Sequence, residues 1–197
     1  MHPANVAFWD YCQNKYSSYC HKVDGRILEV GSCYINGSVR DHFSNFSEYI
    51  GVDWRAGKNV DKVCYAHEME FENKFDVVIS ASMLEHDPHW EKSIPKIVEC
   101  MADDGILFLS WGAALNKPHC HDTADDGLFH NLQAGYVLKA LGDLGMYLHE
   151  FHYEGNQFPK IVNMGKGMGE VCLVAFKDEK YAIGDKHIDK LIKEDVI

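Results

Sequence analysis

Glu29 and Asp53 each close a short apolar run, Arg26–Gly31 and Tyr49–Asp53, and stand 24 positions apart. Nucleotide sites place an acid roughly 20 residues beyond a glycine-ended first strand, where it meets ribose hydroxyls. A carboxylate accepts two hydrogen bonds at once, so it suits a vicinal diol. The stretch Gly31-Ser32-Cys33-Tyr34-Ile35-Asn36-Gly37 is a loop with glycine at both ends, and glycine lets a ligand approach the backbone. Trp54 follows Asp53 directly and offers a flat face to a purine.

A second group of residues could move protons. Glu85-His86 follows the run Phe75–Ser80, and His119-Cys120-His121-Asp122 and His130 follow the run Gly105–Trp111. Histidine titrates near neutral pH, with a reference pKa of about 6.5, which suits removal of a proton from an oxygen or nitrogen. Metal ligation is the rival reading of the His119–His121 pair. A zinc site ordinarily shows a second ligand pair at fixed spacing, and none is present, so no metal is expected. His149 and His152 are three apart on an extended run and point to opposite faces.

These residues need a scaffold that presents strand ends. Continuous apolar runs at 26–31, 49–53, 60–64, 75–80 and 105–111 suit strands buried on both faces, as in a parallel sheet. Two later runs, 147–151 and 171–176, fit an antiparallel pair joined by a segment carrying Gly155, Gly165, Gly167 and Gly169. Helical spacing joins Val39, Phe43 and Phe46; Ile94, Ile97, Val98 and Met101; and Ala134, Val137, Leu138 and Leu141, the last stopped by Gly145. Pro95 implies that the second helix begins near Ser93 or is kinked. Strand–helix alternation predicts a Rossmann-like α/β three-layer sandwich, and such sheets bind ligands at the carboxyl ends of their strands. Residues 1–22, with Phe8, Trp9 and Tyr11, read as an aromatic helical cap. Residues 23–178 read as the ligand-binding domain, and 179–197, with Ile188, Leu191 and Ile192, as a tail helix.

The dinucleotide fingerprint GxGxxG is absent, and an acid at the first strand end repels pyrophosphate. It favours a cationic ligand, and S-adenosylmethionine (SAM) carries a sulfonium and an ammonium beside an adenosine. At this point the chain resembles the class I SAM-dependent methyltransferases, in particular the small single-domain "type 11" kind. The resemblance spans about 25–176. It is carried by Leu28-Glu29-Val30-Gly31-Ser32 with Asn36-Gly37-Ser38, Gly51-Val52-Asp53, Phe75-Asp76-Val77-Val78-Ile79-Ser80, Met83-Leu84-Glu85-His86 and Asp104-Gly105-Ile106-Leu107-Phe108-Leu109-Ser110. It implies a mostly parallel seven-stranded sheet with an antiparallel edge pair. It also implies that Glu29 and the loop with Gly31, Ser32, Asn36 and Gly37 hold the methionine part of SAM. Asp53 would take the ribose and Trp54 the adenine face. Ala66 and His67 would lie at the adenine edge, and the Ser80 carbonyl would meet the cofactor's ammonium. The chain departs from the family in having Cys33 and Ile35 at the usual loop glycines. Only six residues separate Asp53 from Val60, so the helix between strands two and three is missing or vestigial.

The implied activity is methyl transfer to an oxygen or nitrogen of a small molecule or sugar-like metabolite, with S-adenosylhomocysteine as product. His86, His119, His121 and His130 are the candidate bases. Composition narrows the partners. The 197 residues are 46% apolar and carry 19 Lys and Arg against 30 Asp and Glu, a net charge of −11. That balance argues against nucleic acid, whose binders present a basic face. No run reaches the roughly 18–20 apolar residues that span a bilayer. Seven scattered cysteines, an odd number, read as reduced thiols of a cytoplasmic protein, monomeric or homodimeric. Two rival functions stay open: a non-catalytic SAM-fold binding or regulatory protein, and a nucleotide-dependent α/β oxidoreductase.

Overall fold

A computed structural model describes residues 3–35, 37–112, 132–153 and 170–184. The chain begins with α1 (Pro3–Lys15) and α2 (Ser17–Cys20) and enters the sheet at β1 (Arg26–Val30). β2 (Glu48–Asp53), β3 (Lys62–Val63) and β4 (Phe75–Ala81) follow, then α3 (Trp90–Cys100) and β5 (Met101–Gly112). Beyond these lie α4 (Ala134–Asp143), β6 (Tyr147–Tyr153) and β7 (Glu170–Phe176). The seven strands are ordered β3-β2-β1-β4-β5-β7-β6. All neighbours are parallel except β7, which runs antiparallel to both β5 and β6. This is the sheet the sequence implies.

Alternation along the central strands supplies both cores. Leu28 and Val30, Val78, and Leu107, Leu109 and Trp111 face α3 and α4, where Ile94, Ile97, Val137 and Leu141 meet them. Ile27, Val77, Ile79, Ile106 and Phe108 face the other way, under Phe8, Trp9, Cys12 and Tyr16. The amino-terminal aromatic segment is thus the helical layer over one sheet face. Glu150 of β6 anchors it, accepting hydrogen bonds from Tyr11 at 2.8 Å and from Lys15 and Tyr16, with His152 at 3.0 Å on the same carboxylate. Burial alone would raise the Glu150 pKa, but these bonds outweigh it and bring it down to about 2.

The helix ends follow from the residues there. Gly145 takes φ +74, its N–H reaches the Gly142 carbonyl at 3.0 Å, and the Met146 N–H reaches Leu141 at 3.0 Å. That is a Schellman cap, which glycine adopts without a Cβ penalty. α3 starts at Trp90, three residues before Ser93, with Pro95 inside it. Asp87 organises that start by accepting from the His89 N–H at 2.8 Å and from the Ser93 hydroxyl.

One expected helix is absent. Val39, Phe43 and Phe46 have helical spacing, yet the chain makes only a single 3₁₀ turn, Val39–His42. Phe43 is already extended at φ −120 and ψ 148, and Asn45 is left-handed at φ +63. Phe43 and Phe46 pack their rings on Tyr49, with centroids 6.4 and 5.3 Å away. The connection from β2 to β3 carries no helix, as the sequence implies. The Gly155–Gly169 segment and the tail residues Ile188, Leu191 and Ile192 lie outside the described residues.

Candidate active site

The sheet order reverses between β1 and β4, so the crevice at their carboxyl ends is the expected ligand position. Gly31 opens the loop there with φ +85, and its N–H and that of Ser32 bond the Val52 carbonyl at 2.8 and 3.0 Å. A Cβ on Gly31 would sit 2.6 Å from the Met83 side chain, so the two segments close on each other only because residue 31 is glycine. Asp53 ties the loop to β2. Its Oδ2 accepts from the Cys33 N–H at 3.1 Å and its Oδ1 from the Arg55 N–H at 3.2 Å. Burial raises the Asp53 pKa, and those two N–H groups work against the rise. Each carboxylate oxygen accepts more than one hydrogen bond, so capacity remains for a diol.

An aromatic rung stands beyond Asp53. Trp54 and Tyr65 are each 47% exposed, their planes lie within 9° of parallel, and their centroids are 6.4 Å apart. Tyr65 leads to His67, 5.6 Å away, and His67 to His89 at 4.5 Å. Ala66 and His67 form the 3₁₀ turn after β3.

Three buried polar atoms at these strand ends have no partner among the described residues: Ser32 Oγ after β1, His67 Nδ1 after β3 and Ser80 Oγ at the end of β4. A buried polar atom without a partner is costly, and a ligand is one way to satisfy it. Gly37 ends the loop at φ +133, and Ser38 then caps the 3₁₀ turn, its Oγ accepting from the Arg40 N–H at 3.1 Å and from Asn59 at 2.8 Å.

Glu29 is placed differently from its neighbours in the motif. It is 3% exposed on the face of Ile27, and its carboxylate accepts the Tyr49 hydroxyl at 2.7 Å. Burial lifts its pKa to about 7, against the pull of Tyr49 and Arg40. His86 is half-buried on the turn Leu84–His86, beside Glu85. Asn36, His119, His121 and His130 lie outside the described residues.

The structure therefore brings Gly31, Ser32, Asp53, Trp54, Ala66, His67 and Ser80 to one edge of the sheet. Sequence reasoning missed Tyr65 as the second ring of the rung. The parallel pairing of Asp53 with Val63 brings the two rings together, and a strand of two residues is too short for the sequence to fix that register.

No family model matches the chain, and no curated protein matches it. Solved structures do match its fold. An S-adenosylmethionine-dependent methyltransferase from Clostridium acetobutylicum superposes with a TM-score of 0.64 at 10% identity, covering 87% of this chain and 91% of that one. Magnesium protoporphyrin IX methyltransferase from Synechocystis, with bound SAM, gives 0.55 at 14% identity over 88% and 77%. The [4+2]-cyclase SpnF gives 0.58 at 16% identity over 89% and 82%. Strand order, the antiparallel edge and these superpositions agree: the chain has the fold of the class I SAM-dependent methyltransferases.

Proposed function

We propose that this protein is a SAM-dependent methyltransferase that acts on an oxygen or nitrogen of a small molecule. The carrying observation is the Asp53 junction, where one carboxylate ties the Gly31 loop to β2 beside an exposed aromatic rung. The unpartnered Ser32, His67 and Ser80 atoms support the same ligand, because they lie where the methionine, adenine and ammonium parts of SAM would fall. Asp53 holds the ribose hydroxyls, and Trp54 and Tyr65 offer faces to adenine. The Gly31–Ser32 backbone and the Ser80 carbonyl hold the amino-acid end. Bound there, SAM supplies a methyl group already activated on a sulfonium. The chain's own task is orientation, which in favourable cases contributes about 7–11 kcal/mol. Glu29 serves this site from beneath, by filling the space under β1 with Tyr49.

Fold alone does not fix chemistry, as a cyclase on the same fold illustrates. Calorimetry with SAM, S-adenosylhomocysteine and NAD decides the ligand. Both adenosyl ligands are expected to bind and NAD is not. Asp53→Asn is expected to cost at least about tenfold in affinity, the scale of a hydrogen bond to a charged group. Failure of both adenosyl ligands to bind the wild type overturns the proposal. Binding without turnover on an acceptor panel supports the regulatory reading in its place.

A further inference from the structure

A second polar cluster lies further along the same edge, at the ends of β4 and β5 and the start of β7. Glu85 is 2% exposed; its Oε1 accepts the Gly112 N–H at 2.9 Å, and its Oε2 is buried without a partner among the described residues. Glu170 is 8% exposed, and its Oε2 likewise has no partner among the described residues. Gly112 pairs with Glu170 across the β5–β7 ladder, so β5 offers no side chain to cover that carboxyl. Ser110, two residues earlier on the same face, has a fully buried Oγ without a partner among the described residues. Asn5 of α1 closes the cluster from above. It donates to Ser82 Oγ at 2.8 Å, while its own Oδ1 is buried and has no partner among the described residues.

Two carboxyls buried in one cluster cannot both ionise cheaply. Burial raises both groups, and the charge of Glu85 raises Glu170 further, against hydrogen bonding by Asn5 and Ser82. Other titratable groups near this face are Cys172 on β7, His86 beside Glu85, His152 on β6 and Tyr11 on α1. The last two are engaged by Glu150. Such a constellation is a poor core element, because four unpartnered acceptors cost stability. It is well suited to a ligand that brings hydrogen-bond donors.

We propose that Glu85 and Glu170 share a single proton and form the acid–base pair for the acceptor, whose N–H or O–H group docks at the ends of β4 and β5. The acceptor's proton passes to the ionised carboxylate oxygen: the N–H or O–H bond breaks, a carboxyl O–H forms, and the electron pair stays on the acceptor atom. That the docked group is a methyl acceptor rests on the function proposed above; the proton-sharing pair does not.

The test is labelling with dicyclohexylcarbodiimide, which reacts with protonated carboxyls in apolar surroundings, mapped by mass spectrometry on the intact chain. Glu85 or Glu170 is expected to label at pH 6 and to lose at least about tenfold in labelling by pH 9.5, since each pH unit above a pKa removes about tenfold of the protonated form. In Glu170→Gln, Glu85 is expected to lose its label at lower pH than in the wild type. The wild-type profile stands alone if that variant does not fold. Absence of label at both positions at pH 6, or label that is the same at both pH values, overturns the pair. The assay contains no SAM, so its failure is distinguishable from failure of SAM to bind.

Discussion

Glu29→Gln should stabilise the protein in alkali and leave it nearly unchanged in weak acid. The wild-type carboxyl rises from an ordinary 4.5 to about 7 on folding because it is buried. Between those values the folded chain holds a proton that the unfolded chain has lost, so stability falls as pH rises. At about 1.36 kcal/mol per pH unit, the full gap amounts to about 3 kcal/mol. Under about 1 kcal/mol of that is felt at pH 5 and nearly all of it at pH 8. Glutamine keeps the shape and an amide oxygen for the Tyr49 hydroxyl, and it carries no charge to desolvate. Urea unfolding at pH 5 and pH 8 reads the difference. With a slope near 2 kcal/mol/M, the variant's midpoint should exceed the wild type's by about 1.5 M at pH 8 and by less than about 0.5 M at pH 5. Comparing variant with wild type at each pH cancels Glu85 and Glu170, which drift the same way. SAM affinity should change little, because the Glu29 carboxylate is committed to Tyr49. A midpoint difference independent of pH, or a variant weaker at pH 8, would refute the reasoning.

Glu150→Gln should show the opposite pH dependence. The Glu150 pKa is depressed on folding, so its contribution is present above about 4.5 and disappears as pH falls toward 2. The variant should lose about 2 kcal/mol at pH 7, and the gap between its urea midpoint and the wild type's should shrink below about pH 4.5 and close only as pH falls through about 2; loss of a hub to charged donors is of that order after solvent screening. Gly31→Ala should cost about 1–3 kcal/mol, because its Cβ meets Met83 at 2.6 Å and φ is +85, and a thermal melt reads it. Trp54→Ala should weaken adenosyl-ligand binding by about three- to tenfold while leaving the melt unchanged, since the ring is exposed.

The central strands were legible because β1, β4, β5 and β7 are buried on both faces and need unbroken apolar runs; no alternative element satisfies Val77-Val78-Ile79 or Leu107-Phe108-Leu109 so simply. Asp53 was legible for the same reason, as the residue that ends such a run. The helix after β1 was misread because spacing alone cannot tell an apolar helix stripe from aromatic residues gathered on one partner ring; Phe43 and Phe46 both serve Tyr49. What stayed hidden are pairs made by register. Glu29 meets Tyr49 because β1 and β2 align Glu29 with Gly51, two positions past Tyr49. Glu85 and Glu170 come together only because β5 ends at Gly112 opposite the first residue of β7, 85 positions away from Glu85 in sequence. Motif spacing records the local geometry of a loop and its strand, and so it pointed at the donor side of the site. The acceptor side proposed here is assembled by an antiparallel ladder that joins distant segments. On the function proposed above, the residues that choose the acceptor are best sought by exchanging β7 and α1 while keeping the Gly31–Asp53 unit.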